Sequence, residues 1–327
     1  MYNILLCCAG RRVRLVQQLK KSLDGTGNVF VADFDKTAPT MFFADKGFKV
    51  PAINEQDYVG SILDICKKES VKAVTTLIDT DIAKLAKFRK YFEDIGVLLL
   101  GPSKETADLC LDKFAMHEHL AENNIKAVFT YSDLNDFMKD YENGSIDFPL
   151  IVKPRLGSGG VDVKMVHVME ELQLFMNLPT HHPKAKEKLV IQKYMEGEDI
   201  SADVYVDCVS GEVISVFAKK KLRNAIGGAI KVVSYRDYRL FDFMKKVNRA
   251  FKFRGPIDVD LFYEQGEYYI NEINPRFGGG YIYADAMNID FLPFILKNID
   301  KKENISEDKS YKENVLMAMY DELYIGG

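Results

Sequence analysis

Cysteine is scarce in this sequence, with five among 327 residues. Cys7, Cys8, Cys66, Cys110 and Cys208 lack metal-ligand spacing, which sets aside a zinc module. Their odd number and the lack of a secretory leader set aside a disulfide framework. Reduced thiols in a cytoplasmic protein whose mature chain starts at Met1 are the expectation. No apolar run reaches the roughly 18 residues of a membrane-spanning helix. An excess of positive charge is missing too, since 44 Lys plus Arg stand against 48 Asp plus Glu for a net charge of -4. That balance argues against general nucleic-acid or membrane binding and for a small-molecule partner, and it leaves room for a local basic pocket. The sequence has no internal repeat and no low-complexity segment, and the charge run over 184–188 is a solvated stretch.

With 47% hydrophobic and 28% charged residues, the chain can build cores for two or three domains without staples. Over the first hundred residues, apolar runs ("YNILLCCAG", "NVFVADF", "VKAVTTLID", "VLLLGP") alternate with amphipathic segments ("RVRLVQQLKKSL", "YVGSILDICKKE", "IAKLAKFRKYFEDIG"). This βαβ rhythm predicts an open parallel sheet covered by helices, with ligands beyond the carboxyl ends of the strands. Arg12, Asp33, Asp79 and Asp81 stand at those ends and are the expected substrate contacts. Gly10 alone falls short of a three-glycine dinucleotide fingerprint, and Asp79 or Asp81 would serve equally as a cap of the helix that follows. Gly101-Pro102 closes this part, and one helix capped by Ser103 is expected over 103–124. From about 148, paired strands with tight turns at Gly211 and Gly266 predict antiparallel sheets. The expected fold is an α/β parallel-sheet domain over 1–103 followed by an α+β domain over 104–327 with mainly antiparallel sheets.

Three stretches carry chemistry. In "PIDVDLFYEQGEYYINEIN", Asp258, Asp260 and Phe262 share one face of a strand, and Glu272 and Asn274 share one face of the next. A three-residue loop at Gln265-Gly266-Glu267 pairs Glu264 with Tyr268 and sets Asp260 opposite Glu272. A two-residue turn instead shifts the register by one and sends one carboxylate to the other face. Opposed carboxylates with an amide beside them suit Mg²⁺ or Mn²⁺ held partly by a nucleotide's phosphates. In "FPLIVKPRLGSGG", Lys153 closes a strand just before Gly157, Gly159 and Gly160, the makings of a phosphate clamp that is not a Walker motif. The third stretch, "AKKKLRNAIGGAIKVV", is expected to be a basic loop, either simply solvated or a mobile arm carrying Lys219, Lys221 and Arg223 ahead of Gly227 and Gly228.

In this order the pieces resemble the ATP-grasp superfamily, and within it short relatives of the carbamoyl-phosphate synthase large subunit, over nearly the whole chain. The resemblance implies Asp260, Glu272 and Asn274 as metal ligands and Arg276 as the neutraliser of charge at the transferring phosphoryl group. It places Lys113 and Lys153 on phosphates and Gly157, Ser158, Gly159 and Gly160 in a lid loop. Gln192, Lys193, Tyr194 and Met195 become an adenine hinge, Glu198 the ribose acid, and about 127–192 a mobile lid subdomain. The basic stretch does not match position by position, so Lys221 and Arg223 are catalytic candidates on charge alone. The implied activity is ATP-dependent, ADP-forming carboxylate–amine ligation through an acyl phosphate, which needs no proton-transfer triad. The chain lacks the second synthetase half and the allosteric, amidotransferase and carrier modules of larger relatives. An enzyme forming carboxy or carbamoyl phosphate, and a non-catalytic nucleotide-binding regulator, remain alternatives. Small-molecule carboxylate and amine substrates are the expected partners, with no nucleic acid and no membrane, and a homodimer is the expected oligomer.

Overall fold

The computed structural model describes residues 1–157, 159–160, 162–177, 189–225, 228–306 and 310–325. The chain opens with β1 (Asn3–Cys7), α1 (Val13–Leu23), β2 (Val29–Asp33), α2 (Thr40–Phe43), β3 (Lys46–Lys49), α3 (Tyr58–Lys68), β4 (Val71–Thr76), α4 (Asp79–Ala86), α5 (Arg89–Asp94) and β5 (Leu98–Leu99). These strands form the expected parallel sheet, in the order β3-β2-β1-β4-β5. Every residue of β1 and β2 is buried, because helices cover both faces and the strands can be apolar throughout. The connections run outward from β1 to β3 and then return to β4 beside β1. The strand ends diverge at that reversal and open a crevice flanked by the β1–α1 and β4–α4 turns. Arg12 stands on one side of it and Asp79 on the other.

The next segment departs from the expected single helix. It breaks into α6 (Lys104–Leu111) and α7 (Lys113–Glu122). Asp112 causes the break: its Oδ1 accepts from the amides of Phe114 and Ala115, and its carboxylate pairs with Arg155 at 2.7 Å. A capping carboxylate competes with continued helix. The break brings Lys113 to the start of a helix beside the loop after Lys153.

A four-stranded sheet follows, built from β6 (Thr130–Tyr131), β7 (Leu150–Pro154), β8 (Lys164–Val166) and β9 (Leu189–Lys193) in the order β6-β9-β7-β8. Helices α8 (Leu134–Glu142) and α9 (Met169–Asn177) share its small core around Phe137, Leu150, Val152 and Leu172. A six-stranded sheet contains β10 (Glu198–Val206), β11 (Val213–Ala225), β12 (Gly228–Tyr235), β13 (Gly255–Glu264), β14 (Glu267–Asn274) and β15 (Leu316–Ala318), ordered β14-β13-β10-β11-β12-β15. Helix α10 (Tyr238–Phe251) precedes β13, and α11 (Tyr281–Ala286) and α12 (Leu292–Ile299) follow β14. Both later sheets are antiparallel throughout.

The pleat sorts the large sheet. Ile200, Ala202, Val204, Ala218, Val259, Leu261, Ile270 and Ile273 pack with Leu240, Met244, Val247 and Phe251 of α10. Their alternate neighbours project from the other face, and those include most of the charged side chains of interest. Another core joins the two halves of the chain, running from Leu15, Val16 and Leu19 of α1 to Phe277, Tyr281, Phe291 and Ile295. No helix among the described residues is long and apolar enough to cross a membrane.

Candidate active site

The hairpin β13–β14 turns through two residues, not three. Glu264 pairs with Glu267, and Gln265 and Gly266 have φ of +53° and +84°. Positive φ at both central positions matches the right-handed twist of the flanking strands. By itself this turn would set Asn271 opposite Asp260. A β-bulge between Ile270 and Glu272 takes up one residue, so that Asp260 faces Glu272 and Asp258 faces Asn274. The expected opposition is present, by a route the sequence reading did not foresee.

The bulge has a second consequence. Asn271 Oδ1 accepts a hydrogen bond from Lys153 Nζ at 3.2 Å, joining the two sheets at the phosphate clamp. Asn271 was missed as a site residue because its position in a regular strand would send it to the opposite face from Glu272. Lys153 is buried, and that burial pushes its pKa down to about 8 against the pull of Glu272. Burial also lowers the pKa of Lys113, whose ammonium donates to Gly157 O at 2.5 Å. Gly157, Gly159 and Gly160 have φ of +102°, +86° and +72° with open space where a Cβ would stand, backbone that other residues rarely adopt. Ser158 lies outside the described residues.

Lys219, Lys221 and Arg223 are on strand β11, which corrects the expected basic loop. Gly227 lies outside the described residues. Strand pairing lines β11 up with β10, and the pleat aims Lys219 and Lys221 at the same face as Asp199, Ser201 and Asp203. Lys221 Nζ pairs with Asp199 at 2.7 Å and Asp260 at 2.8 Å. Burial works against its charge, but these two carboxylates outweigh it and the pKa is raised. Lys219 is fully buried and paired with Asp203. Arg223, farther along the strand, is exposed. Asp199 and Asp203 were also missed, although their spacing of four in "EDISADVYVD" places both on one face of a strand.

Beside them, Ser201 Oγ donates to Asp258 Oδ1 at 3.1 Å. Burial, with Asp260 and Asp203 nearby, pushes the Asp258 carboxyl up to about 7. Glu272 is raised by burial as well, with Lys113 and Lys153 opposing. A Cβ on Gly278 would lie 2.6 Å from Asp258 Cγ, and one on Gly280 would lie 2.6 Å from Lys219 Cε. These two glycines therefore let the chain after Arg276 pass directly over the buried carboxylates.

Arg276 reaches across to the parallel sheet. Its Nε lies 2.9 Å from Asp79 Oδ1, and its second terminal nitrogen donates to Asp79 Oδ2 at 3.0 Å. Burial opposes the Arg276 charge, yet Asp79 and Asp258 outweigh it and raise the pKa. Arg12 is lowered by burial first and by repulsion from Arg276 second, so the crevice brings Arg12, Asp79 and Arg276 together. Asp33 and Asp81 are engaged elsewhere. Asp33 accepts from the amides of Gly10 and Asp35 at 3.0 and 3.1 Å, and Asp81 accepts from Tyr58 OH at 2.7 Å inside the first domain.

In the hinge segment, Gln192 Nε2 donates to Thr130 Oγ1 at 2.8 Å and Met195 is buried, whereas Lys193 is exposed and Tyr194 half-buried. Glu264 Oε1 accepts from the amides of Glu196 and Gly197 at 2.9 and 3.0 Å, fixing the turn into β10. Glu198 pairs with Lys220 at 2.5 Å and shares the pleat face of Ile200, away from the face of Asp199, Ser201 and Asp203 where the ribose acid is expected.

Asp260, Glu272 and Asn274 offer two carboxylates and an amide oxygen on adjacent strands, a hard donor set that fits Mg²⁺ or Mn²⁺. Among the described residues no group of three or more Asp, Glu, His or Cys side chains is placed to hold a metal ion. An ion held there would complete its shell with substrate oxygens and water, as Mg²⁺ commonly does.

Residues 4–100 match the model of the PylC-like N-terminal domain, and residues 110–280 match that of the ATP-grasp domain. The carbamoyl phosphate synthase large chain of Clostridium acetobutylicum is 27% identical over 263 residues, covering 75% of this chain and 22% of that protein. The chain spans about a quarter of the length of the curated relatives it matches. Among solved structures, the biotin carboxylase domain of Hydrogenobacter thermophilus 2-oxoglutarate carboxylase, in complex with MgADP, ADP and bicarbonate, superposes with a TM-score of 0.74 at 17% identity. That match covers 97% of this chain and 73% of the other. The L-amino acid ligase of Bacillus licheniformis superposes at 0.67 with 17% identity, covering 91% of this chain and 74% of the other. At such identity these likenesses speak to the fold.

Proposed function

This chain belongs to the ATP-grasp family, and from that premise we propose that it is an ADP-forming, ATP-dependent carboxylate–amine ligase. The observation that carries the reading is the gathering of Lys221 of the same sheet, Lys153 of the four-stranded sheet, Lys113 of α7 and Arg276 beyond β14 around the Asp260–Glu272–Asn274 donor set. In this reading Lys113, Lys153 and the amides of Gly157, Gly159 and Gly160 hold the phosphates of ATP. The segment 192–195 takes the adenine. Asp260, Glu272 and Asn274 would hold Mg²⁺, which supplies charge neutralisation at the phosphates. A substrate carboxylate oxygen attacks the γ-phosphorus as the bond to ADP breaks. An amine then attacks the acyl carbon, phosphate leaves, and the amine gives up a proton. Arg276 and Lys221 stand where charge develops, and positioning with charge neutralisation suffices for such chemistry. Arg12 and Asp79 belong to the substrate side, nearest the reacting end, whereas Asp33 and Asp81 are committed to hydrogen bonds within the first domain.

The same reading divides the chain into domains at 1–103 and 104–327, with a lid subdomain at about 127–192, and treats it as a cytoplasmic homodimer. The oligomer is supported by the dimeric biotin carboxylase domain it resembles. The test is an assay for ADP release with hydroxylamine as acyl-phosphate trap, across a panel of carboxylic acids and bicarbonate. Carboxylate-dependent hydroxamate is the expected product. ADP release with bicarbonate alone would instead favour an enzyme forming carboxy phosphate, and no release with any acid would leave a nucleotide-binding regulator.

Two predictions concern the clamp. Lys153→Met should weaken ATP binding by about 1.5 to 3 kcal/mol, the size of a charge-assisted contact. Its thermal stability at neutral pH should not fall, because a buried ammonium with a lowered pKa costs stability below pH 8 and the methionine does not. For wild type, affinity should decline as pH rises through 8, with proton uptake on binding, since phosphate needs the ammonium that high pH removes. Calorimetry in buffers of different ionisation enthalpy reads both. Asn271→Leu removes the acceptor of Lys153 and should lower its pKa further, making the loss of ATP affinity between pH 6.5 and 8.5 steeper than in wild type. An unchanged pH profile would remove Asn271 from the clamp.

A further inference from the structure

A second concave site lies away from the sheet face that carries the ATP-grasp residues. It is a cavity of about 190 Å³ between the β10–β11 turn at Ser210–Val213 and the end of α10, far more room than one water needs. Lys245, Arg249, Lys252 and Arg254 line it, and Glu212 is its one acid. A protein of net charge -4 thus gathers four cations around one small space. Lys245 has a loose pairing with Asp242 at 3.4 Å. Among the described residues Arg249, Lys252 and Arg254 pair with no carboxylate.

The walls are fixed. Asn248, which is buried, donates from Nδ2 to Gly211 O at 2.7 Å and accepts the Phe253 amide on Oδ1 at 2.9 Å. It therefore ties α10, the β10–β11 turn and the chain leading to Arg254 into one frame. Arg254 donates to Phe253 O at 2.8 Å, and its guanidinium occupies the space beside Gly211, where a Cβ would come within 2.7 Å of it. Gly211, at φ of +79°, suits both the turn and that approach. Cations near a helix C-terminus are favourable in themselves, because the helix dipole is negative there. That effect covers Arg249 and Lys252 in part, but it does not account for Arg254, which lies beyond the helix, or for Lys245 two turns from its end. Four like charges around one cavity repel, and an anion among them relieves the repulsion.

We propose that this cavity is a binding site for a phosphate group, free or carried on a small molecule, separate from the ATP site. Guanidinium forks and ammonium groups contributed by α10 and the chain that follows it suit a multiply charged tetrahedral oxyanion better than a single carboxylate.

The experiment measures binding of inorganic phosphate and of ribose 5-phosphate to the full chain by calorimetry at constant ionic strength, without ATP. Wild type and Lys153→Met are compared with Arg249→Glu/Lys252→Glu and with Arg254→Gln. Arg249 and Lys252 are exposed, so the double variant should keep the fold, which circular dichroism checks. Affinity should fall at least tenfold in the double variant and several-fold in Arg254→Gln, and it should be unchanged in Lys153→Met. Equal affinity for the two probes would identify free phosphate as the ligand, and tighter binding of ribose 5-phosphate would identify a phosphate ester. Binding unaffected by the double variant, binding lost in Lys153→Met, or no binding of either probe at millimolar concentration would each overturn the proposal.

Discussion

Glu272→Gln is expected to bring Mg²⁺-dependent ATP turnover down to background while the protein stays folded. The substitution keeps the shape of the side chain and removes one of two anionic donors facing each other across the hairpin. Its effect on stability should be neutral or slightly favourable. Burial raises the folded pKa of Glu272, and a carboxylate with a raised pKa costs stability at pH values above its unfolded value. Glutamine avoids that cost. A readout independent of turnover is available, because ATP affinity measured with and without Mg²⁺ should differ in wild type and hardly at all in the variant. A variant that keeps most of the activity and the Mg²⁺ effect would show the donor set to be misassigned. Asp260→Asn is a less clean probe, since it also removes a carboxylate from Lys221.

Arg276→Ala should lower turnover by roughly 10³-fold or more, the scale of removing an arginine that stabilises phosphoryl transfer, with a modest change in ATP affinity. An interaction made mainly in the transition state acts on kcat rather than on binding. The ion pair with Asp79 adds a structural effect. Breaking a buried pair by removing one partner costs about 3 to 5 kcal/mol, so a drop in Tm is expected as well. Arg276→Lys separates the two effects. It leaves a cation for Asp79 but not the planar fork that meets both carboxylate oxygens, so it should recover much of the stability and little of the turnover. Equal recovery of both would make Arg276 a purely structural link between the two halves of the chain.

The parallel sheet was legible because its strands are short apolar runs bounded by turns, and burial on both faces demands that composition. The later antiparallel sheets were legible from alternation and from glycines at their turns. The helix break at Asp112 was not, because a lone aspartate within a helical pattern becomes a cap only when the chain around it leaves the amides of Phe114 and Ala115 unpaired, and here Arg155 holds the carboxylate from a distant loop. The basic stretch was misread for a related reason. Its lysines look solvated in sequence, and the carboxylates that receive Lys219 and Lys221 come from β10 and β13.

By itself, the sequence determined which side chains share a face. The period of two along a strand puts Asp258 with Asp260, Glu272 with Asn274, and Asp199 with Asp203 without reference to anything else in the chain. Only the tertiary structure decided which of these faces meet. The two-residue turn and the bulge at Asn271 together set Asp260 against Glu272. Arg276 found Asp79 across 197 residues of sequence because the crevice of the parallel sheet opens toward the exit of β14. Register and domain placement are settled by packing summed over many residues, so the partner of any one charged side chain depends on where the rest of the chain comes to lie.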